Sequence, residues 1–110
     1  MPQNYEILAQ AAPAAATDTI LYTVPANTQI IVSFIQIANN DATITPAKIW
    51  ARKAGEAYSL KQNLIPSPNV PGNDAIPVLH GATLGAGDIV MVWAGTSFVS
   101  FTMFGVRITP

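Results

Sequence analysis

The stretch "GDIVMVWAGTSFVSFTMFGVRI", Gly87 to Ile108, decides the fold, because it holds an 18-residue run without a charge, Ile89 to Val106. A run of roughly 18 or more apolar residues is long enough for a membrane helix. Its content argues against one. Gly95-Thr96-Ser97 interrupts the middle, Ser100, Thr102 and Gly105 follow, and Val, Ile, Phe, Trp and Thr dominate the rest. β-branched and aromatic residues on either side of a Gly-polar break predict two strands joined by a tight turn, Ile89 to Ala94 and Phe98 to Ile108. A helix would also carry two interior glycines at a cost of about 1 kcal/mol each.

The second of these strands is irregular. Val99, Phe101 and Met103 occupy one phase, and Phe104, Val106 and Ile108 the other. A strand alternates with a period of two, so the apolar face switches at Met103-Phe104. Either a bulge near Gly105 re-aims the strand or both faces are covered.

Upstream, strands follow one another closely. Tyr5 to Leu8 predicts a short strand, and "AQAAPAAATD", Ala9 to Asp18, an extended arm in which Pro13 disfavours helix. Thr19 to Val24 alternates and "PAN" turns the chain. Thr28 to Ala38 is apolar in both phases, which predicts a central strand covered on both sides. "NNDAT", Asn39 to Thr43, is turn chemistry. Ala47 to Gly55 places Lys48, Trp50 and Arg52 on one face, and its cations predict a solvated edge strand. Tyr58 to Ile65 predicts a strand, Pro66 to Pro77 an extended surface loop with four prolines, and Val78 to Asp88 a short strand and a glycine turn. The sum is an all-β, single-domain β-sandwich, jelly-roll-like, of seven to nine strands. Its parts are an N-terminal arm with a short strand over 1–16 and a sandwich over 17–110 that includes the proline-rich loop 66–77.

Composition sets the surface problem. The chain has 110 residues, of which 50% are hydrophobic and only 10% charged, against a typical charged share of about 25%. A chain of this size buries roughly 65% of its unfolded surface, enough for one core. Five basic and six acidic residues must then wet everything else. "QIIVSFIQIA" and "IVMVWA" join high β-propensity to a lack of charge and proline, so their edges are aggregation hazards unless paired or covered. Together these features predict a homo-oligomer or lattice component.

The same numbers weigh against other classes. Net charge is −1 and no basic run exceeds Arg52-Lys53, which is unfit for neutralising phosphates, so no nucleic-acid partner is expected. Membrane partners are not expected either. No cysteine is present, which excludes disulfides and thiolate metal sites. "MPQNYEILAQ" lacks the basic and apolar regions of a signal peptide. His80 is the single histidine; with no nucleophile elbow and no carboxylate pair singled out by the sequence, it reads as a solvated or capping residue at a strand end. Asp41, Asp74 and Asp88 read as turn formers. No catalytic residue, metal ligand or cofactor site is expected. Tyr22, Trp50, Tyr58 and Trp93 define the alternative of a carbohydrate-binding module with an aromatic platform, although Trp50 beside Lys48 and Arg52 fits a subunit contact better.

Four stretches, "QAAPAAATDTILYTVPANT" (Gln10–Thr28), "IQIAN" (Ile35–Asn39), "GATLGAGDIVMVWA" (Gly81–Ala94) and "VSFTMFGVRI" (Val99–Ile108), resemble small bacteriophage virion structural proteins in their order and spacing. The resemblance implies a non-enzymatic capsid decoration (cement) protein or small tail component, with a β-sandwich fold and a homotrimer or larger homo-oligomer. It further implies the major capsid protein or other virion proteins as partners, and the virion as location after assembly in the host cytoplasm. No catalytic residue carries over, and Lys48 to Pro77 lies outside the likeness. The subunit or capsid contacts expected from these readings are Tyr5, Ile7, Trp50, Pro66, Pro68, Val70, Pro71 and Phe104.

Overall fold

The computed structural model describes residues 3–53, 63–65, 69–78 and 81–109, with side chains at 6–53, 69–78 and 81–109. Ten strands form: β1 (Gln3–Ala11), β2 (Thr19–Thr23), β3 (Gln29–Asn39), β4 (Thr45–Lys53), β5 (Asn63–Ile65), β6 (Asn69–Val70), β7 (Asp74–Val78), β8 (Ala82–Leu84), β9 (Asp88–Ala94) and β10 (Val99–Ile108). They build two antiparallel sheets. Sheet A runs β1-β10-β3-β7 with β8 also on β3, and sheet B runs β2-β9-β4-β5 with β6 also on β4. Because β7 and β8 dock on the two ends of β3, they act as one interrupted strand, and β5 and β6 do the same on β4. Counted so, eight strands visit the sheets in the order A-B-A-B-B-A-B-A, the two interlocked Greek keys of a jelly roll. The all-β sandwich expected from the sequence is the fold observed.

The charge-free run becomes β9 and β10, one in each sheet, joined by a turn at 95–98. Their inward residues, Val90, Val92 and Ala94 with Val99, Phe101 and Met103, are fully buried against Ile30, Val32, Ile35 and Ile37 of β3 and Ala47 and Ile49 of β4. Burial of this kind contributes roughly 25 cal/mol per Å² of apolar surface.

Strand β10 pairs without a skipped residue and alternates in burial from Val99 to Gly105; its neighbours change phase. Between Phe104 and Gly105 the register with β3 skips Ser33, and between Phe104 and Met103 the register with β1 skips Leu8. Each skipped residue is a β-bulge. The bulge in β3 explains its two apolar phases, since its buried positions are 30 and 32 before Ser33 and 35, 37 and 39 after it. Strand β3 is central, but its outward side is open: Ile31 is 39% exposed. The bulge expected to re-aim the last strand near Gly105 is therefore not in β10; the extra residues, Leu8 and Ser33, lie in its two neighbours. Gly105 is where the three strands press together, and a Cβ there would meet the Ile31 carbonyl and approach Leu8 Cδ1 to 3.0 Å.

Three expectations are corrected. Strand β4 is interior to sheet B, between β9 and β5 with β6, and not a solvated edge. Lys48 is accommodated there because its Nζ sits over the Trp93 ring, 4.7 Å from the centroid, a favourable cation–π placement. The N-terminal strand extends over Gln3–Ala11, well beyond Tyr5 to Leu8, and pairs along β10 as the edge of sheet A. The proline-rich stretch is strand at 69–70 and 74–78 in its described part. Pro77 is tolerated because β7 is an edge strand, where the ladder loses little from a missing N–H.

Turn carboxylates and asparagines fix the ends. Asn27 adopts φ 58° in the "PAN" turn and Gly87 φ 86° in the glycine turn. These turns interlock, Gly87 N–H donating to the Val24 carbonyl and Val24 N–H to the Asp88 carbonyl. Asp88 accepts the Gly85 N–H through Oδ2 at 2.9 Å and pairs with Lys53 Nζ through Oδ1 at 2.8 Å. Burial pushes the Asp88 pKa up, but the Lys53 hydrogen bond, the Gly85 N–H and the Lys53 charge outweigh it, so the carboxyl titrates below its ordinary value.

Two outcomes are expected. Gly105→Ala destabilises the fold by about 1–3 kcal/mol in urea titrations, the range for overpacking a filled site; an unchanged midpoint contradicts the close approach. A carboxylate with a lowered native pKa contributes stability that is complete above its unfolded pKa near 4 and is lost as pH falls through the native value. Melting temperature should thus fall more steeply below about pH 4 in the wild type than in Asp88→Asn; parallel curves contradict the Asp88 account.

Candidate functional site

No group of three or more His, Cys, Asp or Glu side chains that could hold a metal is found among the described residues. The carboxylates expected in turns do turn work. Asp41 Oδ1 accepts the Ala42 N–H at 2.7 Å and Asp74 Oδ1 the Ala75 N–H at 2.8 Å. His80, Tyr58, Pro66, Pro68 and the Tyr5 side chain lie outside the described residues. The site to be understood is a surface, and three parts of it differ in chemistry.

The first is the outer face of sheet A. The alternation of β10 sends Phe104 outward, and the register carries Ile7 and Phe34 to the same row on either side of it. Ile7 is 52% exposed, Phe34 and Phe104 are half-buried, and their rings stack at 4.9 Å with a 31° tilt. Such an aromatic pair contributes about 0.5–1.5 kcal/mol beyond its burial. Ile31, exposed, and Val106, buried beside it, fill the next outward row. Outward positions are 7 and 10 on β1, 29, 31, 34, 36 and 38 on β3, 75 and 77 on β7, 83 on β8, and 100, 102, 104, 106 and 108 on β10. None of these carries a charge. The nearest ion pair, Glu6 with Arg107 at 3.5 Å, belongs to inward rows. It sits toward Tyr22 of β2, whose phenol is pushed above its ordinary pKa by burial, with Arg107 opposing and Glu6 adding.

The second part is the outer face of sheet B. There Trp50, Ile89 and Met91 form a small cluster with Trp93 against it, flanked by Lys48 and Arg52. Ile20, on edge strand β2, is 51% exposed beside Met91. The third is the end of the sandwich where the connections 12–18, 40–44, 71–73 and 95–98 meet. Backbone bonds tie them together: Ala16 N–H to the Ala94 carbonyl, Asn40 N–H to Phe98 and Asn73 N–H to Asp41. Asn39, buried at the base, donates to the Thr43 and Val70 carbonyls and accepts the Asp41 N–H. Ile44 and Phe98 are each 58% exposed at this end.

Of the contact residues expected from the sequence, the structure brings Ile7 and Phe104 into one row and leaves Pro71 exposed elsewhere. Trp50 is 4% exposed and Val70 fully buried, so both belong to the interior of this chain: Trp50 packs on Ile89 and Met91, and Val70 joins the main core. Among the described residues, Tyr22, Trp50 and Trp93 do not form an open aromatic platform. Tyr22 packs against the core between the sheets, Trp50 is covered, and Lys48 lies over the Trp93 ring. Phe34 and Ile31 were missed by sequence reasoning because an unbulged β3 would bury one of them; only knowledge of the Ser33 bulge places both outward.

No protein-family model matches the chain, and no curated protein matches it. Among solved structures, it is similar to the crystal structure of a pentameric capsid protein isolated from metagenomic phage sequences, with a TM-score of 0.38 and 18% identity over 96% of this chain. This chain spans 64% of that protein's length.

Simple sugars are expected to leave tryptophan emission unchanged, because one indole is covered and the other carries a cation on its face. Saturable quenching by any monosaccharide or disaccharide contradicts this description of sheet B.

Proposed function

We propose that this chain is a non-enzymatic structural protein of a phage virion, and specifically a capsid decoration (cement) protein that binds the outer shell and stabilises contacts between capsomers. The observation that carries the reading is the outer face of sheet A, broad, uncharged and centred on the Ile7–Phe104–Phe34 row, in a chain with few ions to spare. Support also comes from the ordered stretches that resemble small virion proteins, and from a jelly-roll topology that recurs in capsid and lectin domains. Fold alone does not fix function; the surface supplies the argument.

The mechanism is repeated weak contact. Burying apolar surface contributes roughly 25 cal/mol per Å², and many copies on a symmetric shell add such contacts without any single strong one. The partners are further copies of the chain and the major capsid protein. Segment 1–16 reaches neighbours through outward side chains such as Ile7 and through the unpaired edge of β1. Ile44 and Phe98, each exposed at the loop-bearing end, offer an apolar contact to the shell that remains free when sheet A is covered by another copy.

The same surfaces serve a tail or fibre component, so location on the particle is the test. Antibody labelling of intact virions is expected to decorate the head uniformly, and purified protein is expected to bind stripped heads and raise their disruption temperature. Label confined to the tail, or heads that neither bind it nor gain stability, overturns the decoration reading.

A further inference from the structure

We infer that the outer face of sheet A is closed by the same face of a second copy of this chain, packed back to back about a two-fold axis near Phe104. The inference rests on the assembly reading above, but its chemistry and its test are independent of any shell.

Charge selects the occupant. Among its described residues the face offers no counter-ion to an acidic or basic partner, to nucleic acid or to anionic lipid. Of its polar groups, Gln10, Gln36 and Thr102 share one row across β1, β3 and β10, with Gln29, Thr83 and Ser100 in other rows. Each can both donate and accept, so a copy turned through a two-fold presents matching groups. A two-fold interface needs this self-complementarity, because every residue meets the same patch in its partner. The outer face of sheet B lacks it. A two-fold there would bring Lys48 and Arg52 of each copy toward those of the other.

Anatomy and area agree. The large apolar residues Ile7, Phe34, Phe104 and Ile31 occupy the middle of the face, and neutral polar residues mixed with small apolar ones flank them, close to the core-and-rim arrangement of protein interfaces. Four strands about 4.8 Å apart, followed for about ten residues at roughly 3.3 Å each, give roughly 600 Å² in plan. Corrugation by side chains brings this close to the roughly 800 Å² per partner of a stable interface. Two flat sheets stack at about 10 Å with strands within about 30° of parallel, so the pair is a four-layer sandwich in which Phe34 and Phe104 of both copies interdigitate. The Ile7 side chain, half-exposed in the single chain, becomes buried.

The test is the mass of the isolated protein in solution, by sedimentation and native mass spectrometry at about 100 µM, where mass action favours the pair. Twice the 11.6 kDa chain mass is expected; a single chain or a trimer overturns the inference. Phe104→Lys and Ile7→Lys are expected to weaken the pair at least 30-fold, or about 2 kcal/mol, as for a central contact residue. Circular dichroism should stay that of the folded chain. If Phe104→Lys does not fold, Ile7→Lys decides, since that side chain already reaches solvent. Ile20→Lys, on the opposite sheet at 51% exposure, is expected to keep the mass of the pair. An unchanged mass in Ile7→Lys, or its loss in Ile20→Lys, also overturns the inference. A pair that forms through this face but never occurs on heads leaves the inference standing and removes the decoration reading; head binding by a chain that stays single does the reverse.

Discussion

Strand β10 runs through sheet A without a skipped residue, and most of the molecule is arranged around that constraint. Its inward residues to Met103 supply one wall of the core, and at Gly105 the side chain disappears because the Ile31 backbone lies too close for a Cβ. Both neighbours adjust to β10: Leu8 and Ser33 bulge at nearly the same level, on opposite sides of it. The consequence falls on the outer face. Phe104 and Val106 are held outward, and the bulge in β3 turns Phe34 and Ile31 out with them. An apolar patch on the solvent side of a sheet is thus a product of core packing.

The two sheet faces solve the shortage of charge differently. Sheet B covers its outward tryptophans and methionine within the chain, using Trp50, Ile89, Met91 and the stem and charge of Lys48. Long basic side chains often lie along apolar surface in this way while the head stays wet. Sheet A has no such cover among its described residues and no ion on its outward positions. Large apolar patches on isolated proteins mark interaction sites. The asymmetry between the faces, more than the overall composition, is the ground for proposing sheet A as the assembly surface.

Much of the architecture was legible in the sequence because it rests on local chemistry. The Gly-Thr-Ser break between β9 and β10, the Pro-Ala-Asn turn and the Leu-Gly-Ala-Gly-Asp turn each need specific residues in specific conformations. The phase conflict at Met103-Phe104 also marked the level of the bulge correctly, though not the strand that carries it. What escaped depends on partners distant in sequence. Lys48 and Arg52 pointed to an edge, yet β4 is interior because it pairs with β9 on one side and β5 and β6 on the other, and Trp93, some 45 residues away, receives the Lys48 cation. The alanine- and glutamine-rich β1 has weak strand propensity and is extended to Ala11 by its pairing with β10. Trp50 and Val70 looked available for contact and are buried by tertiary packing that no local pattern reveals. The candidate surface was half legible: Ile7 and Phe104 stood out, whereas Phe34 and Ile31 required the register.

The most direct measurement is hydroxyl-radical footprinting of Ile7 against Ile20 in the concentrated wild-type protein. The two residues are chemically identical and almost equally exposed in the single chain, at 52% and 51%, so any difference in labelling reports what lies over them. A covered sheet A predicts Ile7 protected and Ile20 freely oxidised, with the protection of Ile7 lost on dilution. Equal oxidation of both at every concentration would contradict the account.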